Sequence, residues 1–230
     1  MNRPLWPAGD LPAPTIETDG RAIVLDLGPG GRIMGEDITG VDTARLSNLI
    51  DCAMEDAGTG FAFGRYAEPR EVYRGDLFTS NETGERRTIH MGIDVFCDTG
   101  TSVHAPLDGM VEVATNNTAE LDYGPVVILR HTALDGKPFF TLYGHLTAET
   151  LGNIEVGQRV AAGELIARVG SPPDNGNWPP HLHLQLILDL MGLGGDFPGV
   201  AFNSRKAYWL SLSPSPAGFF AGYEPHTLEY

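Results

Sequence analysis

Basic residues are scarce in this sequence. Fifteen Lys and Arg residues stand against 30 Asp and Glu residues, so the net charge of the 230-residue chain is −15 at neutral pH. A protein that binds nucleic acid needs clustered basic side chains to contact phosphates. The composition therefore argues against a nucleic-acid partner, and an anionic membrane or cell-wall polymer would be repelled at long range.

Cysteines and long apolar runs are also few. Cys52 and Cys97 could form one disulfide on count alone. They lack the close C-x-x-C spacing of a redox or zinc site, so we expect two free, buried or semi-buried thiols.

No stretch reaches the roughly 18 apolar residues of a membrane-spanning helix. Residues 1–10 contain no apolar core of a signal peptide. We therefore expect a cytoplasmic protein with no membrane partner; its oligomeric state is not readable from these patterns.

Twenty-nine Gly and 17 Pro residues accompany many short apolar runs at roughly ten-residue spacing, which favours an all-β fold with a minor helical N-terminal part. Three parts are predicted. Residues 1–60 form an extension with one helix, 42–57, capped by Asp42 and packed on the core. Residues 61–190 form the β domain, and residues 191–230 form a tail that wraps it.

Three short patterns in the β region carry histidines: His90-x-x-x-Asp94, Tyr143-Gly-His145 and His181-x-His183. On a strand, His181 and His183 face the same side. Either both bind one metal ion, or one binds it and the other faces the substrate. His90 and Asp94 can share a metal only if the chain bends between them, and Gly92 gives it that freedom.

Two imidazoles and one carboxylate are a frequent ligand set for catalytic zinc, which keeps a fourth position open for water. Such a metal polarises a carbonyl group and lowers the pKa of water to about 7. No H-E-x-x-H helix motif supplies a glutamate base. The remaining histidines, with an ordinary pKa of about 6.5, are therefore the candidates for proton transfer.

Together these patterns resemble the lysostaphin/LytM-type zinc metallopeptidase domain. The resemblance runs from about Arg87 to Leu188 and also includes A-P-x-D-G-x-V at 105–111 and V-G-Q-x-V-x-x-G-x-x-I at 156–166. It implies an antiparallel β-sandwich, related to barrel-sandwich hybrids, and one zinc ion per chain on His90, Asp94 and His183. It also implies catalytic roles for His145 and His181, and a peptide or muropeptide-like substrate that can contain glycine.

Two features set this chain apart from that family. Leu184 and Gln185 follow the last histidine motif, where the family often has Phe and Glu, although neither is a ligand position. The stretch from Leu190 to Pro214 resembles a cytoplasmic branch in which the domain lies between a phosphotransferase-like domain and a pyridoxal-phosphate aminotransferase. Neither neighbour is present, which fits a free-standing relative or an excised domain.

Three function classes remain after the sequence analysis. The first is an active zinc peptidase, and the second is a catalytically silent relative that binds a peptide or protein partner through the groove. The third is a sugar-phosphotransfer or lipoyl-like module, which shares the V-G-x-x-V-x-x-G element but needs no metal motif. His104, His131 and His226 match no functional position and are expected on the surface or in packing.

Overall fold

The fold was analysed in a computed structural model, which describes residues 5–6, 12–18, 20–220 and 222–230. Strands make up most of its regular structure. They are β1 (Ile23–Val24), β2 (Arg32–Ile33), β3 (Glu36–Asp37), β4 (Ala62–Gly64), β5 (Arg87–His90), β6 (Ile93–Phe96), β7 (Ser102–His104), β8 (Gly109–Asn117), β9 (Gly124–Thr132), β10 (Pro138–Gly144), β11 (Arg159–Val160), β12 (Leu165–Arg168), β13 (His181–Ile187) and β14 (Val200–Phe202). The α-helices are α1 (Thr43–Ala57), α2 (Thr150–Asn153) and α3 (Lys206–Leu212).

Eight strands form the main sheet in the order β1-β4-β6-β13-β10-β9-β8-β11. The pair β1-β4 is parallel, and the other neighbours are antiparallel. No pairing joins β1 to β11 among the described residues, so the sheet does not close and the barrel element of the prediction is not confirmed. The mostly-strand fold is confirmed, whereas the sandwich packing stays a prediction.

Both faces of the sheet are covered by apolar side chains, as the unbroken burial of β13 indicates. Alternate residues of each strand enter different clusters because successive side chains point to opposite faces. Leu182 and Leu184 lie in one cluster with Val127 and Leu129, whereas Ile128 and Leu142 lie in the other. The odd-numbered positions of β13, which include both histidines, therefore face away from the first cluster.

Helix α1 agrees with its prediction to within one residue. The side chain of Asp42 accepts a hydrogen bond from the Arg45 N–H at 2.7 Å, and Gly58 ends the helix in the left-handed region at φ 63°. The apolar stripe that includes Leu49 and Ile50 is buried against Phe96 of β6 and Ala62 of β4. The helix thus packs against the same strands that support the candidate site.

Both predicted flanking parts contact the β region. Strand β1, from the N-terminal part, extends the main sheet through β4, and β14, from the C-terminal part, pairs with β5. Phe219 and Leu228 are buried in the same apolar cluster as the central strands. The limits at residues 60 and 190 stay predictions, and residues 1–4 and 7–11, where the signal-peptide prediction falls, lie outside the described residues.

Both cysteines are free, but only Cys97 is buried. Cys52 is exposed on α1, so its predicted burial was wrong: position 52 faces away from the apolar stripe of the helix. No helix among the described residues is long and apolar enough to cross a membrane.

Candidate metal centre

Three strands and one bend bring the metal-binding candidates together. Strands β6 and β13 are neighbours in the main sheet, and their register places Asp94 directly opposite His183. His90 ends β5, which pairs with β14 outside the main sheet, and the chain turns through Met91 and Gly92 before β6 begins. The predicted bend between His90 and Asp94 is therefore present.

The three donor atoms form a nearly equilateral triangle. Asp94 Oδ1 lies 3.1 Å from His90 Nε2 and 3.0 Å from His183 Nδ1, and the two nitrogens are 3.0 Å apart. Donors bonded at about 2.0–2.1 Å to one tetrahedral zinc ion lie about 3.3 Å from each other. The triangle needs only a few tenths of an ångström of expansion, so its size and donor chemistry fit zinc.

The second nitrogen of each ligand histidine is held by an oxygen. His90 Nδ1 lies 2.9 Å from the Arg65 carbonyl, and His183 Nε2 lies 3.0 Å from Gln185 Oε1. The amide nitrogen of Gln185 donates to Ser213 Oγ at 2.9 Å and thereby fixes the orientation of the amide. Each ligand imidazole therefore carries its proton away from the metal position and presents a lone pair to it.

Gly92 is required because a side chain at this position would not fit. Its φ is not in the left-handed region, so the backbone conformation alone does not demand a glycine. A β carbon there would lie 2.6 Å from His183 Cε1 and 2.6 Å from the Leu184 carbonyl oxygen. The absence of a side chain lets the bend after β5 approach β13 closely. The prediction named the right residue but gave conformational freedom as the reason.

Replacement of Gly92 with alanine is expected to lower the free energy of unfolding by about 1–3 kcal/mol, since either the His183 ring or strand β13 must move. Urea unfolding of the metal-free protein measures this loss, and zinc titration measures the accompanying loss of affinity. Gly152→Ala is the matched control, because nothing lies within 4 Å of its β-carbon position. Equal stability of the two variants would contradict this account.

His145 and His181 stand beside the triangle. Their ring centroids are 4.3 Å apart, and His181 Nε2 lies 3.7 Å from Asp94 Oδ1. His181 Nδ1 is bound to the Pro179 carbonyl at 2.6 Å and His145 Nδ1 to the Asn175 carbonyl at 2.9 Å. Both Nδ1 atoms thus act as donors to the backbone, which leaves the two Nε2 atoms as proton acceptors.

The backbone of His145 adopts φ 62°, a left-handed conformation that is uncommon for residues with a side chain. Gly144 closes β10 just before it, and Tyr123 packs where a side chain at position 144 would stand. The turn directs the His145 ring toward His181, with the Trp178 ring 6.3 Å away. This sharp exit from the strand is what brings a residue of β10 into the site.

Burial lowers the pKa of three imidazoles at the site, those of His90, His145 and His181, and so favours their neutral form. All five site side chains are less than 7% exposed. Burial, with the Arg70 charge adding to it, lowers the pKa of His90 to about 4. Burial and the neighbouring histidines also lower the pKa of His145. Burial tends to raise the pKa of Asp94, but His90 and Arg70 outweigh it and hold this pKa well below its ordinary value. A neutral imidazole and an ionised carboxylate are the forms that bind a metal.

The site opens into a cavity of about 350 Å³. Its walls come from segments that are distant in the sequence: residues 27–46, 70–78, 117–123 and 196–200 all contribute side chains. Apolar groups such as Val41, Val72 and Leu121 alternate with the charged groups of Arg87 and Asp122. The cavity is therefore large enough for a ligand of several heavy atoms next to the candidate metal position.

This region is similar in sequence to known proteins. Residues 88–191 match the model of peptidase family M23. The chain is also 35% identical over 165 residues to an uncharacterized metalloprotease of Haemophilus influenzae. That alignment covers 67% of this chain but only 32% of the relative, so the chain spans about a third of the length of that protein. These matches support a metallopeptidase domain of the LytM type in the matched segment.

Solved structures of peptidases resemble parts of the chain. The catalytic domain of lysostaphin from Staphylococcus simulans is 24% identical, with a TM-score of 0.38; the match covers 60% of this chain and 92% of that domain. A zinc-containing peptidase from Vibrio cholerae is 27% identical, with a TM-score of 0.36, over 54% of this chain and 36% of that structure.

Several side chains at the candidate site were missed by the sequence analysis. Glu68, Arg70 and Tyr73 precede the matched segment and belong to no recognised motif, yet Arg70 contacts Asp94 directly. Gln185 was noted only as a departure from the family, although it orients His183. His104, His131 and His226 were expected outside the site, and none of them lines the cavity. His131 instead hydrogen-bonds Thr141 Oγ1 in the interior.

Proposed function

We propose that this chain is a zinc-dependent metallopeptidase that hydrolyses an amide bond, with one zinc ion on His90, Asp94 and His183. The observation that carries the proposal is the triangle of donor atoms at 3.0–3.1 Å, buried beside two further imidazoles. A structural zinc site closes all four positions with protein ligands. Three protein donors facing a cavity are the arrangement of a catalytic site.

A zinc ion held there supplies a Lewis acid that polarises the scissile carbonyl group and makes water more acidic. His145 and His181 transfer the protons in this proposal. Their Nε2 atoms accept a proton from the attacking water and return it to the leaving amine. The carbonyl oxygens of Asn175 and Pro179 hold both rings in the required tautomer, and the protonated ring stabilises negative charge on the substrate oxygen.

The substrate class we propose is a peptide or a muropeptide-like molecule. An extended peptide exposes its carbonyl groups, and the cavity offers apolar walls around a few polar groups, as peptide-binding clefts do. A glycine at the cleaved bond and a cytoplasmic location remain predictions of the sequence analysis, as do the resemblance to the fused cytoplasmic branch and the absence of nucleic-acid and membrane partners.

The test is a measurement of metal content joined to a peptide-library cleavage screen. We expect about one zinc per chain, hydrolysis that stops on chelation, and recovery when zinc is restored to the same sample. Peptides with Gly-Gly bonds and peptides with apolar residues at the same positions, compared at equal concentration, test the glycine prediction. The zinc-reconstituted sample controls for irreversible unfolding by the chelator.

Two results would overturn the proposal in different ways. A zinc-loaded chain that binds peptides but cleaves none would indicate the catalytically silent binding module. A chain that takes up no zinc would indicate a phosphotransfer-like or lipoyl-like module, for which the metal triangle has no use. Neither alternative explains why two additional buried imidazoles present their acceptor nitrogens beside the triangle.

A further inference from the structure

A series of buried ion pairs runs from the interior of the protein to the candidate metal centre. The guanidinium of Arg70 lies between two carboxylates: Nη1 is 2.5 Å from Asp94 Oδ2, and Nε is 2.9 Å from Glu68 Oε2. All three side chains are no more than 3% exposed. An arginine buried to this degree is uncommon unless its charge is paired and its N–H donors are hydrogen-bonded.

Neighbouring groups hold the arginine in this one position. Glu68 Oε1 accepts a hydrogen bond from the Leu27 N–H at 3.1 Å, and Arg70 Nη1 also lies 3.2 Å from the Tyr73 hydroxyl. Strand β4 has a glycine where the guanidinium passes: a β carbon on Gly64 would lie 2.5 Å from Arg70 Nη2. Gly64 is paired with Asp94 in the sheet, so the space and the carboxylate are adjacent.

The two oxygens of Asp94 have different partners. Oδ2 is bound to Arg70, whereas Oδ1 lies in the triangle with His90 and His183. A carboxylate can bind a metal through one oxygen or through both, and the second mode fills a coordination position that water or substrate needs. A planar guanidinium that holds one oxygen therefore decides which mode is available.

We propose that Arg70, itself held by Glu68, is a positioning residue that restricts Asp94 to binding the metal through Oδ1 alone and so keeps a coordination position open. This inference rests on the proposed metal site. Glu68 offsets part of the charge of Arg70, so the guanidinium orients Asp94 while opposing a bound cation less than an unpaired arginine would. A purely structural ion pair would stabilise the fold and leave metal binding unchanged.

The test uses the full chain carrying Arg70→Met and Glu68→Gln together. Methionine removes the donor to Asp94, and the change at Glu68 removes the carboxylate that would otherwise stay buried and charged without the Arg70 guanidinium. We expect zinc affinity, measured in competition with a chromophoric chelator, to fall about 10- to 100-fold, the usual effect of losing a partner of a metal ligand. We also expect weaker visible absorption of the cobalt-substituted variant, because Asp94 then binds through both oxygens and raises the coordination number.

Arg70→Lys is a second variant that keeps the charge. A lysine ammonium is a point charge and cannot span both carboxylates as the planar fork does, so an intermediate loss of zinc affinity is expected. Arg130→Met is the matched control: it removes the same charge from an ion pair with Glu112 whose two side chains are 46% and 36% exposed. Its zinc affinity and cobalt spectrum should equal those of the unmodified chain.

The proposal is overturned if the folded double variant, with unchanged near-ultraviolet circular dichroism, binds zinc as tightly as the unmodified chain and gives the same cobalt spectrum. If neither variant folds, Arg70 is a residue of the fold and the positioning role is likewise rejected. An unmodified chain that binds zinc but hydrolyses nothing contradicts only the proposed function, since the readouts here are affinity and coordination. An unmodified chain that binds no zinc overturns both.

Discussion

His183→Ala is expected to abolish zinc binding and, with it, hydrolysis. The imidazole supplies one corner of the donor triangle, and its removal takes one buried partner from Asp94 Oδ1 and one from Gln185 Oε1. Loss of an outer partner typically costs about 10- to 100-fold in affinity, so loss of a ligand should cost more. Equilibrium dialysis against zinc and the rate of peptide hydrolysis measure the two losses.

The control for this substitution is His226→Ala, which removes an exposed histidine near the C-terminus. It should keep one zinc per chain and the full rate of hydrolysis. Thermal unfolding of both variants without metal separates loss of a ligand from loss of the fold. A folded His183→Ala protein that still holds one zinc per chain at the affinity of the unmodified chain would show that the triangle is not the metal site.

The side on which His181 and His183 stand could be predicted, because the two-residue repeat of a strand depends only on local geometry. The burial of Leu182 in the opposite layer agrees with it. The hairpin between β9 and β10 follows from the sequence for a similar reason: the dipeptide Asp135-Gly136 is typical of a tight turn, and Gly136 has φ 79°. Patterns confined to a few neighbouring residues carry this information.

Arg70 could not be predicted by the same reasoning. Its contact with Asp94 spans 24 positions and depends on a chain path through β4 and the following loop, which no repeat or motif describes. It stands between Pro69 and Glu71, outside any apolar repeat, and an arginine is expected on the surface. Only a compensating pair, Glu68 on one side and Asp94 on the other, makes its burial tolerable, and such a pair is visible only in three dimensions.

The sequence also does not predict which residues at the edge of the sheet form a strand. The run Val156 to Val160 is typical of a five-residue strand, but the strand itself is only Arg159–Val160, at the outer edge of the main sheet beside β8. Glu155 and Gln158 form a turn with two local hydrogen bonds, and the Gly157 N–H and the Gln158 carbonyl group bond to Val111 of β8. Composition does not distinguish a strand from an extended loop at an edge, because one side of either lacks a partner strand.

Substitution of His145 or His181 is expected to lower kcat by about 10²- to 10⁴-fold while zinc stays bound, which is the range for loss of a general acid or base. Neither residue belongs to the triangle, so one zinc per chain should remain. His145→Asn is preferred to alanine because asparagine tolerates the left-handed backbone at this position, whereas alanine would add strain. His181→Ala is suitable in β13, whose backbone is extended.

Rates at saturating peptide concentration, with zinc measured on the same samples, separate proton transfer from metal binding. His104→Ala is the control, because His104 lies on β7 and does not line the cavity. The double variant His145→Asn/His181→Ala adds a further distinction: if the two rings act in one proton-transfer unit, their combined loss is much smaller than the product of the single losses. A zinc-loaded single variant with an unchanged kcat would remove that histidine from the mechanism, and the remaining one would have to carry every proton transfer.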